Sequence, residues 1–221
     1  MSHPDDAFTG IVHPEIRAYL DTLVDTEDPI LDVMETYASE RNFPLVGRES
    51  GRWLELLARM IGARRVFEMG SGWGYSAFFF ARAVGEGGEV HGSEKDSWEL
   101  EAHRKLMSGH PLSSRIHLHQ GDAFDVLDAM EGCFDVVFID VDKQAYPEAL
   151  ERAVERLRVG GLVLVDNALW GGKVARAAAG DDPSTLALQQ FNQRLVVDSR
   201  LGAGLLPIGD GLGVGLKLTE E

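Results

Sequence analysis

The chain has one cysteine, Cys133, among its 221 residues, so no disulfide can close within it. The expectation for Cys133 is a small buried hydrophobe. Basic residues are scarce: 21 Lys and Arg stand against 36 Asp and Glu, a formal net charge of −15. That balance argues against a nucleic-acid binder held by a basic surface, and the one Lys/Arg-rich stretch is Arg152–Arg158. No apolar run approaches the roughly 18 residues that a membrane span needs. No basic-then-apolar segment opens the sequence. These absences predict a soluble, cytoplasmic protein with no membrane partner. No internal repeat, low-complexity tract or linker interrupts the chain, and its length suits one α/β domain.

What is present is punctuated by glycine. The run Val66-Phe67-Glu68-Met69 is followed by Gly70-Ser71-Gly72-Trp73-Gly74 and then by the apolar helix pattern Ala77–Val84. Strand, tight turn and helix N-terminus make a place where backbone N–H groups can face a small ligand. Three helices are predicted before it: His13 to Val24, one opened by Asp28-Pro29, and Glu49–Ile61 stopped by Gly62. They form a cap over residues 1–62, suited to a substrate lid or a dimer face, with residues 1–12 as a loose arm. From residue 63 on, strands and helices alternate. Strands are predicted at Arg65–Glu68, Glu89–Ser93, Ile116–Gln120, Val136–Ile139 and Leu162–Val165. The helices between and after them are Gly74–Val84, Trp98–Met107, Ala123–Met130, Tyr146–Leu157 and Pro183–Asp198. Runs such as Val136-Val137-Phe138-Ile139 are apolar throughout, as expected of a parallel sheet covered on both faces. The C-terminus reads as a hairpin, Leu205–Ile208 and Leu212–Leu218 around Gly209-Asp210-Gly211. Gly202, Gly204, Gly213 and Gly215 weaken those strands.

Every one of the five parallel strands ends in an acid: Glu68, Glu94, Asp122, Asp140 with Asp142, and Asp166 beside Asn167. In open α/β sheets that edge binds ligands, where the strand order reverses. The competing explanation is helix capping, which Asp favours and which suits Asp122 best. The acids divide into two groups. Glu68, Glu94 and Asp122 surround the glycine turn, and Glu94 lies 20 residues past Gly74, the spacing of an acid that takes a ribose diol. Asp140, Asp166 and Asn167 offer two carboxylates and an amide oxygen, a donor set for a hard divalent cation. Lys143, three residues past Asp140, can serve there as a base or lie solvated on the surface.

Gly72-x-Gly74-x-x-Ala77 satisfies a dinucleotide fingerprint, with Glu94 as its acid. That reading places Glu68 deep in the strand, where a charge is costly. With Glu68 at the strand's end, a carboxylate faces the ligand and would repel a pyrophosphate. A cationic amino acid with an adenosine tail, S-adenosylmethionine, fits better. Trp73 and Tyr75 either lend aromatic faces to a sulfonium or simply pack.

These residues resemble the cation-dependent class I O-methyltransferases of the catechol and caffeoyl-CoA type, over about residues 40–218. Glu68-Met69-Gly70-Ser71-Gly72-Trp73-Gly74-Tyr75-Ser76 resembles the family's cofactor loop. Phe43-Pro44-Leu45-Val46-Gly47 resembles the segment that closes over the cofactor, and Gly121-Asp122-Ala123 the loop near adenine. Ile139-Asp140-Val141-Asp142-Lys143 and Val165-Asp166-Asn167-Ala168-Leu169-Trp170 resemble its two metal motifs. Leu206-Pro207-Ile208-Gly209-Asp210-Gly211-Leu212 resembles its terminal hairpin. Two departures stand out: Pro44-Leu45 where Met-x is common, and Gly213-Val214-Gly215 where a polar residue and a basic strand usually follow.

The resemblance implies a Rossmann-like methyltransferase sheet, mostly parallel with a C-terminal antiparallel hairpin, helices on both faces and an N-terminal helical cap. It implies S-adenosylmethionine held by Val46, Glu68, Gly70, Ser71, Gly72, Tyr75, Ser76, Glu94, Asp122, Ala123 and Asp140. A divalent cation, Mg2+ first with Ca2+ and Mn2+ as alternatives, would sit on Asp140, Asp166 and Asn167. Lys143 and Asp140 are the implied catalytic pair, and Lys143, Trp170 and Asp210 the implied acceptor side. Trp170 is equally well read as a core residue under its loop. The expected acceptor is a small aromatic vicinal diol, and the family implies a homodimer. Three alternatives remain: a tRNA hydroxyuridine methyltransferase of the same fold, an NAD-linked oxidoreductase, and a cofactor-binding module without chemistry.

Overall fold

The computed structural model describes residues 12–23, 28–176 and 182–220. Residues 1–11 of the predicted arm at 1–12, and the end of the first helix at Val24, lie outside the described residues. Three helices come first: α1 (Pro14–Leu23), α2 (Pro29–Ser39) and α3 (Gly47–Met60). Asp28 caps α2 by accepting from the Ile30 N–H at 3.2 Å, with proline in the first turn, as the sequence predicts. The alternating part follows: β1 (Arg65–Met69), α4 (Tyr75–Val84), β2 (Glu89–Glu94), α5 (Ser97–Leu106), β3 (Ile116–Gln120), α6 (Ala123–Ala129), β4 (Phe134–Ile139), α7 (Tyr146–Arg156), β5 (Leu157–Val165), α8 (Pro183–Val197), β6 (Leu201–Leu206) and β7 (Leu212–Lys217).

One seven-stranded sheet forms, in the order β3-β2-β1-β4-β5-β7-β6. β1 to β5 pair in parallel, and β7 runs antiparallel to both β5 and β6. The strand order reverses between β1 and β4, which opens a crevice at their carboxyl ends. Apolar side chains cover both faces. Val66, Phe78, Phe80, Phe138 and Leu164 pack on one face; Phe67, Phe134, Val137, Ile139 and Phe191 pack on the other. Val136 to Ile139 are all buried, which is why that strand shows no alternation.

Three expectations are corrected. Cys133 is exposed, because it lies in the turn just before β4 and not in the strand. β5 starts at Leu157, so the helix before it stops at Arg156 and Arg158-Val159-Gly160-Gly161 extend the strand. The hairpin's first strand is Leu201–Leu206, earlier than Leu205–Ile208. Its glycines hide it from a propensity reading but suit the packing. A Cβ on Gly215 would lie 2.8 Å from Val163 Cγ1 and 3.2 Å from Leu195 of α8, so β7 stays slim where the helix crosses it.

Arg152–Arg158 is not a free basic patch. Arg152 pairs with Asp128 at 2.7 Å, and Arg158 Nε with Asp135 at 2.5 Å. Arg156 donates to the carbonyls of Leu127, Met130 and Gly132. No helix among the described residues is long and apolar enough to cross a membrane.

Candidate active site

The glycine turn after β1 is forced by crowding. Gly70 has φ +79°, and a Cβ there would lie 2.3 Å from the Asp140 carbonyl oxygen. Gly74 has φ +88°, caps α4, and would clash with His103 at 2.7 Å. Any side chain at either position displaces backbone or a buried imidazole. The turn is tied to β2 as well: the Ser71 N–H donates to the Ser93 carbonyl at 3.0 Å and the Gly70 N–H to Ser93 Oγ at 3.2 Å.

A cleft of about 310 Å³ opens beside this turn, at the crevice between β1 and β4. Of the expected cofactor residues, Gly70, Glu94, Asp122, Ala123 and Asp140 line it. Lys95, Phe124, Val141 and Asp142 contribute as well. Glu94 accepts from the Gly72 and Asp96 N–H groups, each at 2.9 Å, which fixes its carboxylate at the end of β2. Asp122 does cap a helix, accepting from the Phe124 N–H at 2.9 Å, but its other oxygen pairs with Lys95 at the cleft. Lys95 holds the Asp122 carboxyl below its ordinary range. Capping and site membership therefore coincide in one residue.

Glu68 corrects the reading of a carboxylate exposed at the strand's end. β1 continues through Met69, and Glu68 is completely buried behind the turn. Ser71 Oγ donates to its Oε2, and Oε1 has no partner. Burial raises its pKa to about 8, against the pull of the Ser71 and Ser76 hydroxyls. Ser71 and Ser76 are buried with it. Tyr75 and Trp73 are packing residues. Trp73 lies among Tyr37, Phe43 and Trp98. The Tyr75 hydroxyl donates to Glu35 at 2.6 Å, and Glu35 pairs with Arg48 of α3. The Phe43–Val46 segment closes over the turn from the cap. Phe43 lies 3.2 Å from where a Gly72 Cβ would stand, and the Val46 carbonyl lies 3.8 Å from a Cβ on Gly209 in the hairpin turn.

The second group of acids gathers at the ends of β4 and β5. Asp166 is buried, and its burial and the nearby Asp140 charge raise its pKa to about 7. Lys143 Nζ donates to Asp140 Oδ1 at 2.9 Å and to the Tyr146 hydroxyl at 2.8 Å, and lies 5.9 Å from the Trp170 ring centroid. Tyr146 in turn donates to the Asp166 carbonyl at 3.2 Å. Asn167 and Trp170 both have positive φ, +56° and +48°, a strained state for tryptophan. The hairpin turn holds them there. Asp210 accepts from Asn167 Nδ2 at 3.2 Å, and the Ala168 and Leu169 N–H groups donate to the Gly211 and Asp210 carbonyls, each at 2.9 Å. Two carboxylates at adjacent strand ends, one of them held by a lysine, with an amide adjoining, are a donor set that fits a hard cation.

Two participants escaped the sequence reading. Tyr146 bridges Lys143 to β5, a role set by sheet order and not by spacing. Glu99 is the other: buried in α5, it has an unpartnered oxygen, and burial and Glu94 raise its pKa to about 8. The oxygens of Glu94, Asp96 and Glu99 lie within 4.8 Å of one another. Nothing in Ser97-Trp98-Glu99 signals that contact, because α5 folds back over the turn.

Known proteins share this fold. The O-methyltransferase family model matches residues 23–218. Caffeoyl-CoA O-methyltransferase 2 of Populus trichocarpa is 30% identical over 184 residues, covering 77% of this chain and 74% of the plant enzyme. The O-methyltransferase TomG of Streptomyces achromogenes, solved with SAM, superposes with a TM-score of 0.83 at 27% identity, covering 93% of this chain and 96% of that one. The O-methyltransferase of Bacillus cereus, solved with SAH, gives a TM-score of 0.81 at 26% identity, covering 92% and 97%. The chain belongs to the O-methyltransferase family.

Proposed function

We propose that this enzyme transfers the methyl group of S-adenosylmethionine to one hydroxyl of a small aromatic vicinal diol, and that it requires a divalent cation. The observation that carries the reading is the placement of two acids at adjacent strand ends: Asp140, held by Lys143 at 2.9 Å and against the glycine turn, and buried Asp166, whose N–H donates to the Ile139 carbonyl at 3.2 Å. Glu94 would accept from the ribose hydroxyls, and the Gly121-Asp122-Ala123 loop would flank the adenine. Glu68, Ser71 and Ser76 would hold the turn from behind, and Val46 and Tyr75 would hold it through the cap. Asp140, Asp166 and Asn167 would hold the cation, which supplies charge neutralisation for both oxygens of the diol. Mg2+ is the first choice for this all-oxygen set; Ca2+ and Mn2+ share its ligand preferences.

Lys143 then has a defined task. Its amine, placed by Asp140 and Tyr146, would take the proton from the hydroxyl that is methylated once it has given up its own extra proton to solvent. Trp170 and Asp210 border the acceptor, Trp170 as an aromatic wall held in its strained conformation by the hairpin turn. Much of the rate enhancement would come from holding the oxygen in line with the methyl carbon. The same reading proposes a homodimer. Tyr19, Leu23, Leu56 and Met60 are 63%, 60%, 45% and 72% exposed, and a second cleft of about 360 Å³ between α1 and α3 holds none of the strand-end acids.

The test is methylation of a panel of catechols, monophenols and isolated diols, with and without a chelator. Methylation of catechols alone, lost on chelation and restored by Mg2+, is the expected result. Activity that persists after complete metal removal overturns the cation requirement, and turnover of monophenols overturns the diol.

A further inference from the structure

Three acids meet where β2 runs into α5. Glu94 ends β2, Asp96 precedes α5, and Glu99 stands in the first turn of that helix. One oxygen of each lies within 4.8 Å of the others. Asp96 is exposed, but Glu99 keeps only 5% of its surface open to solvent. Its Oε2 is shut off from water and has no hydrogen-bond partner. That oxygen would stand 3.2 Å from a Cβ on Gly72, and the Gly72 N–H donates to Glu94 Oε2. Glu99 therefore reaches the same point of the glycine turn as the Glu94 carboxylate, but from the interior.

The charged groups that face Glu99 are both acids, Glu94 and Asp96, and the Glu94 side chain is within hydrogen-bonding reach. The cap sets the Phe43 ring beside it, the glycine turn sets backbone beside it, and Lys95 is paired with Asp122 instead. A buried carboxylate without a donor is costly, and a second carboxylate next to it adds to the cost. One proton removes both terms, because a protonated Glu99 has an O–H to give and Glu94 can stay ionised at the cleft.

We propose that Glu99 is a positioning residue for the methyl donor: kept protonated, it donates to Glu94 from behind and fixes that carboxylate toward the ribose, a role that rests on Glu94 being the ribose acid of the proposed function. Glu94 Oε1 accepts from the Asp96 N–H and Oε2 from the Gly72 N–H, each at 2.9 Å. A carboxylate has about four acceptor sites, so with Glu99 as a third donor about one is left for a ribose hydroxyl. That site opens on the cleft that Glu94 lines. Burial and the Glu94 charge push the Glu99 carboxyl up to about 8, so its proton is present at neutral pH and leaves above that range. Once it leaves, two charges stand against each other and the ribose acid loses its brace.

The experiment is calorimetric titration with S-adenosylhomocysteine, which carries the same ribose, from about pH 6.5 to about pH 9.5, on the wild type, E99Q, E99A and E94A. E99Q keeps a neutral donor of the same shape and should bind within about threefold of the wild type at the low end. By the high end the wild type should lose at least about tenfold in affinity relative to E99Q. The ligand amine and Glu68 are common to both titrations, so the ratio isolates Glu99. E99A has no donor and should bind about tenfold more weakly at the low end. Wild-type binding at about pH 8.5 should also take up protons, read from titrations in buffers of different ionisation enthalpy, which requires no variant. Parallel pH profiles for the wild type and E99Q overturn the proposal. So does E99Q binding as weakly as E99A at the low end, or an absence of proton uptake by the wild type. Unchanged affinity in E94A overturns the ribose reading itself, whereas weakened E94A binding with parallel profiles removes only the role of Glu99.

Discussion

An acid sealed behind a glycine turn ionises only at a cost, and Glu68 is such an acid. Its pKa is about 8 in the fold against an ordinary 4.5. The folded chain therefore holds a proton that the unfolded chain releases. The stability this gives is complete below about pH 4.5 and is lost as pH rises through about 8. Glu68→Gln keeps the group neutral at every pH and should flatten that part of the stability profile, by an amount on the order of a few kcal/mol. Melting curves from pH 5 to 9 on both proteins are the check; parallel profiles would mean that the carboxyl ionises freely in the fold. Glu94 makes a useful contrast, because it lies at the cleft with both oxygens already accepting backbone N–H groups. Glu94→Ala should weaken S-adenosylmethionine binding by about 100-fold with little change in melting temperature, as read by calorimetry. At Lys143, replacement by alanine should lower kcat by about 100-fold or more while leaving cofactor affinity alone, since the amine contacts Asp140 and Tyr146 and not the glycine turn.

At the scale of the element, close approach decides more than propensity. A Cβ on Gly51 would lie 2.3 Å from the Phe79 ring, so α3 and α4 touch at a glycine. Gly51→Ala should destabilise by about 1–3 kcal/mol through overpacking, a fall in Tm of roughly 2–10 °C, with activity retained at low temperature. The same logic separates what could be read in the sequence from what could not. β1, β4 and the second half of β5 were legible from their apolar runs, and β2 and β3 from the alternation with helices and the acid at or just past each strand end. β6 was not, because Gly202 and Gly204 lower its strand propensity and its pairing to β7 is a tertiary fact. The first residues of β5 were hidden by Gly160 and Gly161. In the site, Asp140, Asp166 and Asn167 followed from their places at strand ends. The burial of Glu68 did not, since one residue more of strand decides whether a carboxylate meets solvent or core. Glu99 and Tyr146 were invisible for a related reason: each matters through a contact made by the fold with a neighbouring strand end, Glu94 at β2 for Glu99 and the Asp166 carbonyl just past β5 for Tyr146.

The whole molecule presents an apolar face on α1 and α3 that nothing among the described residues covers. If two copies meet there, Leu56→Glu with Met60→Glu should convert a dimer of about twice 24.2 kDa into a monomer, measured by light scattering; an unchanged mass would place the contact elsewhere. A second whole-molecule consequence comes from the contact between Gly70 and Asp140. The glycine turn rests on the carbonyl of Asp140, whose side chain we assign to the proposed cation. The Asp140 N–H also donates to Met69 at 2.9 Å, and the Asp166 N–H to Ile139 at 3.2 Å, so the three strand ends are laced together. On the proposed function, donor and cation would be two ligands of one piece of backbone, and their affinities would be thermodynamically linked. Whatever factor Mg2+ adds to the affinity for S-adenosylmethionine, S-adenosylmethionine must add to the affinity for Mg2+. Gly70→Ala, by wedging the two apart, should weaken both at once.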